Sequence, residues 1–145
     1  MKILAAVDRS EFADRVVDLV RRIASEDAAS ILLLSVAPRQ PDVLGQQLTR
    51  KVITDPVPED LLDRRALLDR LAEVFAGARI PCETLMVRGK AAATIIDEAI
   101  RWDADLIVVG SHGRGMLMKQ VLGSVSEEVL EARRLPVLVV PFGDA

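Results

Sequence analysis

Residues 106–128 read LIVVGSHGRGMLMKQVLGSVSEE, and the character of the chain changes abruptly at Gly110. The aliphatic run Leu106 to Val109 suits a buried strand. Four glycines (Gly110, Gly113, Gly115 and Gly123) then fall within fourteen residues. Ser124-Val125-Ser126-Glu127-Glu128 restarts regular structure, and the S-x-x-E spacing of Ser124 and Glu127 fits a capping box, so a helix is expected to begin there. Glycine weakens regular structure but lets a backbone turn sharply and come close to another group. A strand that leads through such a loop into a helix N-terminus has the chemistry of a phosphate seat, with unpaired N–H donors at the positive end of the helix dipole. Arg114 and Lys119 lie in the loop, where they could neutralise phosphate charge. The same residues also read as a glycine-rich surface turn before an ordinary capped helix.

Outward from this stretch, short apolar runs alternate with amphipathic segments. Strands are expected at 2–7 (KILAAV), 30–36, 82–87, 105–110 and 136–141, and helices at 10–24, 59–76, 91–102 and 124–134. The first helix would bury Phe12, Val16, Leu19, Val20 and Ile23; the second would turn Leu61, Leu68, Ala72 and Phe75 inward. Residues 37–58 carry five Pro or Gly residues and read as an irregular connection, of a length that is usually functional. Pro136 and Pro141 bracket the last strand, which marks it as an edge strand. Strict alternation of strand and helix predicts an open parallel α/β sheet with helices on both faces. In such sheets ligands bind at the carboxyl ends of the strands. Asp8, Ala37 and Gly110 each close a strand at that end.

Composition narrows the class. The chain has 145 residues, read as one domain, 1–145, with half of them hydrophobic but only 3% aromatic, so the core must be aliphatic. A net charge of −3 gives no basic imbalance of the kind a nucleic-acid binder shows. One cysteine cannot form an internal disulfide framework and suits a reducing, cytoplasmic setting. No apolar run approaches the ~18 residues of a membrane span, and charge returns at Asp8, too early for a signal peptide.

Candidate chemical groups are few. His112 is the single histidine, so three-His and HExxH zinc sites are excluded. Cys82 reads as a small buried hydrophobe and Trp102 as a packing residue. Asp8 could cap the first helix, as could Ser10, or face a ligand. No nucleophile–base pair is found, and no catalytic residue is assigned. Neither G-x-x-x-x-G-K-[ST] nor a G-x-G-x-x-G after the first strand occurs.

Gly110-x2-Gly113-x9-Gly123-Ser124 resembles the nucleotide-binding signature of the universal stress protein family, in its ATP-binding branch. KILAAVDRSEFA, VRGKAAATIIDEAIRWDADLIVVGSHGRG and LGSVSEEVLEARRLPVLVVP resemble that family's opening strand, its middle and its ending. The resemblance implies a five-stranded Rossmann-like fold, adenine nucleotide α-hydrolase-like, with strand order 3-2-1-4-5. It implies that Ala6, Val7 and Asp8 face adenine, that Val36 offers backbone contacts to the base, and that Val109 and Gly110 lie beside the ribose. Gly113, Gly123, Ser124, Val125 and Ser126 would hold the phosphates by backbone N–H and hydroxyl, with Arg114 beside them. Arg9 stands where many members have Gly, which would narrow the adenine end. The ligand implied is ATP, or ADP, with Mg²⁺ or Mn²⁺ held through phosphate oxygens, and the assembly a homodimer through strand 136–141.

The resulting expectation is a nucleotide-dependent regulatory or stress-response module, with nucleotide ordering the 37–58 and 114–122 loops. The alternative is a slow ATP hydrolase or a nucleotidyl-transferring enzyme of related fold. Such adenylating relatives carry HxGH or SGGxDS signatures, and strand one here leads into VDRSEF instead. A phosphorylated receiver domain would need a lysine after strand five, where Pro141-Phe142 follows.

Overall fold

Five aliphatic runs become five parallel strands in the computed structural model, which describes residues 1–8, 11–24, 28–39, 59–111 and 123–141. They are β1 (Lys2–Ala6), β2 (Ser30–Ala37), β3 (Cys82–Arg88), β4 (Leu106–Gly110) and β5 (Val137–Val140), in the spatial order β3-β2-β1-β4-β5. The expected strand order and edge position of β5 are therefore observed. Central strands buried on both faces need apolar residues without alternation, and Ile3, Leu4, Leu33 and Leu34 are fully buried. Of the 37–58 and 114–122 segments, residues 40–58 and 114–122 lie outside the described residues, as do Arg9, Ser10, His112, Gly113 and Arg114.

Among the described residues four helices cover the sheet: α1 (Ala13–Ala24), α2 (Glu59–Gly77), α3 (Ala91–Arg101) and α4 (Ser124–Ala132). Ala13, Val16, Val17, Val20 and Ala24 of α1 recur at helical spacing and pack with Ile3, Ala5, Ile31 and Leu33 on one face of the sheet. Leu68, Leu71 and Phe75 of α2 join the same cluster. Emptying the wholly buried Phe75 site by a change to Ala would cost ~3–5 kcal/mol. On the opposite face Ala92, Ile95 and Ala99 of α3 and Val129 of α4 meet Leu4, Leu32, Leu34 and Ile107. The inward face of α2 differs from expectation. Arg64 and Leu71 are buried, whereas Leu61 and Ala72 are only partly so. No helix among the described residues is long and apolar enough to cross a membrane.

Two helices stop in the same way. After α2, the Ile80 N–H reaches the Phe75 carbonyl (2.9 Å) and the Arg79 N–H the Ala76 carbonyl (3.1 Å). After α3, the Ala104 N–H bonds Ala99 (2.9 Å) and the Asp103 N–H bonds Ile100 (3.1 Å). This paired closure needs a left-handed residue, and Arg79 and Asp103 supply it at φ 60° each. Glycine normally holds that position because a Cβ is strained there. Arg79→Gly should therefore stabilise the fold by about 0.5–1 kcal/mol, after the larger entropy of the unfolded glycine chain is counted. A rise in the urea midpoint checks it; an unchanged or lower midpoint refutes it.

Candidate nucleotide site

The carboxyl edge of the sheet is uneven, and the unevenness makes a crevice. In a parallel strand the N–H and C=O of one residue point to the same edge, and successive residues alternate. On β2, the Ser30 N–H bonds Met1 and the Leu34 carbonyl accepts from the Val7 N–H (2.8 Å), so even-numbered residues face β1. The Ile31 N–H bonds Pro81 and the Ala37 carbonyl accepts from the Gly89 N–H (3.0 Å), so odd-numbered ones face β3. Val36 therefore turns its N–H and C=O toward β1, two residues beyond the last β1 pairing at Ala6↔Leu34.

The other flank is a mirror of this arrangement. On β4 the Ile107 and Ser111 N–H groups bond Pro136 and Val140, so odd-numbered residues face β5. Gly110 then faces β1, beyond the last pairing at Ala5↔Val108. Ala6 of β1 turns the same way as Lys2, whose carbonyl accepts from Asp105, toward β4. Val36 and Gly110 thus present backbone donors and acceptors from two sides across the end of β1. Val7 is buried at its floor, and Asp8, half-buried and engaged in its own interactions, follows. Helix α1 begins at Ala13, five residues beyond Asp8, so Asp8 is not its direct cap.

The start of α4 is tied to this crevice. Ser111 is 1% exposed; its N–H bonds the Val140 carbonyl (2.9 Å), and its own carbonyl accepts from the Gly123 N–H. The Gly123 carbonyl accepts in turn from the Glu127 N–H (2.9 Å) and the Ser126 hydroxyl (3.0 Å). Gly123 is therefore the N-cap, in extended conformation and with no side-chain cap bond. The expected capping box at Ser124 is corrected accordingly: the helix does begin at Ser124, but a backbone already anchored at Ser111 takes the cap position. The N–H groups of Ser124, Val125 and Ser126 precede the first intrahelical bond, at the positive end of the dipole.

Site residues reached from sequence separate into groups. Ser124 is exposed, Val125 is half-buried against the second core cluster, and Ser126 is buried with its hydroxyl proton committed to Gly123. Hydroxyl contact to a phosphate thus suits Ser124 better than Ser126. Val109 is buried, its backbone facing β5 and its side chain in the α3–α4 core, so it forms wall rather than contact surface. Gly113 and Arg114 lie outside the described residues. Sequence reasoning missed Ser111, although a serine locked between strand and glycine loop was the signal. It also missed Ser35 and Arg64, both buried. Among the described residues no group of three or more His, Cys, Asp or Glu could hold a metal ion.

This is the architecture of an open parallel α/β fold with its crevice at the strand-order switch. The universal stress protein family model matches residues 1–141. Universal stress protein YxiE of Bacillus subtilis is 32% identical over 148 aligned residues, spanning 96% of this chain and 97% of its own length. The chain belongs to the universal stress protein family. Its fold is similar to that of hypothetical protein MJ0577, with a TM-score of 0.85, 24% identity and coverage of 99% of this chain and 97% of that one. It is also similar to the universal stress protein from Archaeoglobus fulgidus solved in complex with dAMP, with a TM-score of 0.72, 20% identity and 97% coverage of each.

Cys82 lies at the amino end of β3, the opposite end of the sheet from the crevice. It is half-buried rather than fully buried. Burial first, and then the nearby Glu83 charge, push its thiol up to about 11. A raised acid pKa means that the folded protein disfavours thiolate until alkaline pH. Ellman's reagent should accordingly react slowly with native protein at neutral pH and fast with unfolded chain. Equal rates would show that the thiol is not shielded.

Proposed function

We propose that this chain binds ATP in the crevice above β1 and acts as a nucleotide-dependent regulatory module in a stress response. The observation that carries it is the opposed pair of backbone edges, Val36 and Gly110, with the start of α4 tied beside them through Ser111 and Gly123. A strand edge offering one N–H and one C=O matches the Watson–Crick edge of adenine, whose N1 accepts and whose N6 donates. Guanine presents the reverse order, O6 accepting and N1 donating, and is disfavoured at the same edge. The phosphates would lie over the N-terminus of α4, toward Ser124, Val125 and the Ser126 N–H, with Gly113 and Arg114 contributing from the loop. Mg²⁺ or Mn²⁺ would enter on the phosphate oxygens and water. The dAMP complex of the Archaeoglobus fulgidus relative supports an adenine nucleotide as the ligand class.

Regulation rather than turnover is the favoured role. No side chain described at the crevice forms a nucleophile–base pair that would activate water for cleavage. Glu127 stands in the first turn of α4, where its carboxylate complements the dipole but opposes phosphate. Ser124→Asp separates the two effects. An acid on that exposed first helical residue should leave melting unchanged or slightly higher, while weakening ATP binding at least about tenfold by charge repulsion. Thermal melting of the ligand-free variant checks the first half and titration calorimetry with Mg-ATP the second. Undiminished affinity in a folded variant would move the phosphate seat elsewhere, and a wild type that takes up no ATP would end the reading.

A homodimer through β5 completes the proposal. That strand is the sheet edge, with Val137, Leu138 and Val139 only half-buried in the single chain. An apolar edge with unpaired backbone groups invites a partner strand. Lysine at Leu138 or Val139 should give monomers by light scattering. Both variants keeping the mass of the wild type would exclude this interface.

A further inference from the structure

Arg64 sits in α2 on the stripe otherwise made by Leu68, Leu71 and Phe75, and only 8% of it is exposed. Opposite it stands Ser35 of β2, 0% exposed, on the face that Ile31 and Leu33 fill with aliphatic side chains. Burying a charged and a polar side chain where two aliphatic ones would pack is costly unless they bond one another. They do: Nη1 of Arg64 donates to Oγ of Ser35 at 3.0 Å, while its Nε donates to Oδ1 of Asp60 at 3.3 Å. A directional bond here has a geometric consequence. Beyond Leu34, β2 has lost β1 and is paired on one edge only, by Ser35↔Met86, Val36↔Val87 and Ala37↔Arg88. A strand tip held from one edge can twist about that edge. The Val36 N–H belongs to the peptide plane that joins it to Ser35, so tethering Ser35 sets the direction in which that N–H points.

We infer that Arg64 is a positioning residue for base recognition, holding the tip of β2 through Ser35 so that Val36 keeps its N–H and C=O aimed into the crevice. This rests on the nucleotide reading above. It adds that base selectivity depends on a buried cation that never touches the ligand.

The test is calorimetry with ATP, GTP and inorganic tripolyphosphate on wild type, Ser35→Ala, Arg64→Met and the double variant. The preference for ATP over GTP should fall about tenfold in each single variant, as expected when one well-aimed hydrogen bond is lost. Affinity for tripolyphosphate, which has no base, should stay unchanged. The double variant should be no worse than the singles, because both remove one shared contact. Full ATP preference in folded variants overturns the role of Arg64 while leaving nucleotide binding intact. A parallel loss of tripolyphosphate affinity overturns it too, by showing general loosening. A wild type that binds neither ATP nor tripolyphosphate overturns the nucleotide reading itself. Should Arg64→Met fail to fold, Ser35→Ala carries the test alone, since it removes one hydroxyl.

Discussion

Strand β1 stops pairing at Ala6, while its neighbours β2 and β4 run on to Ala37 and Gly110. That inequality of length at one edge of the sheet is the constraint on which the site depends. Had β1 continued, the N–H and C=O groups of Val36 and Gly110 would have been consumed in the ladder. Because it stops, two backbone edges of fixed alternation face each other over Val7. Backbone groups held by strands need no ordering when a ligand arrives, so the preorganisation comes with the fold.

The aliphatic composition follows from the same plan. A sheet buried on both faces needs short, branched side chains at every central position, and no polar residue interrupts the run from Ile31 to Leu34. The two faces are then covered by α1 and α2 on one side and by α3 and α4 on the other. Polar exceptions inside this envelope are informative because each carries a desolvation cost. Four of the five among the described residues, Ser35, Arg64, Ser111 and Ser126, lie at or beside the carboxyl edge; the fifth, Glu98 of α3, pairs with Arg101 at 2.7 Å. The bonds from Arg64 to Ser35, from Ser111 to Val140, from Gly123 to Ser111 and from Ser126 to Gly123 each fix a segment that borders the crevice.

Much of the fold could be read from residue patterns, since aliphatic runs bounded by Gly, Pro and charge mark buried strands directly. Strand order came with the family resemblance, and the edge position of β5 from Pro136 and Pro141. Element ends were harder. Val7 continues the apolar run of β1 yet leaves the strand, because pairing ends at Ala6↔Leu34 and Ala5↔Val108 whatever its own side chain. The S-x-x-E spacing pointed to Ser124 as a cap, but spacing cannot report that Gly123 is bound to Ser111 across eleven residues. Arg64 escaped notice because an arginine in a helix reads as solvent-facing until its partner is known. Of the phosphate-binding residues that the resemblance implied, Gly123 and those on α4 have a described position, whereas Gly113 and Arg114 do not.

The Ser111–Gly123 bond bears on how the site can work. It closes the backbone between β4 and α4 into a loop whose two ends are fixed against the sheet edge through Val140. Whatever residues 112–122 contribute to a ligand, they do so from a frame that is fixed relative to Gly110 and the first turn of α4. Loop-closure entropy for those residues is thus met on folding and not on binding. A ligand touching both the β4 tip and the start of α4 spans two elements already joined, so it meets them without a further cost of bringing them together.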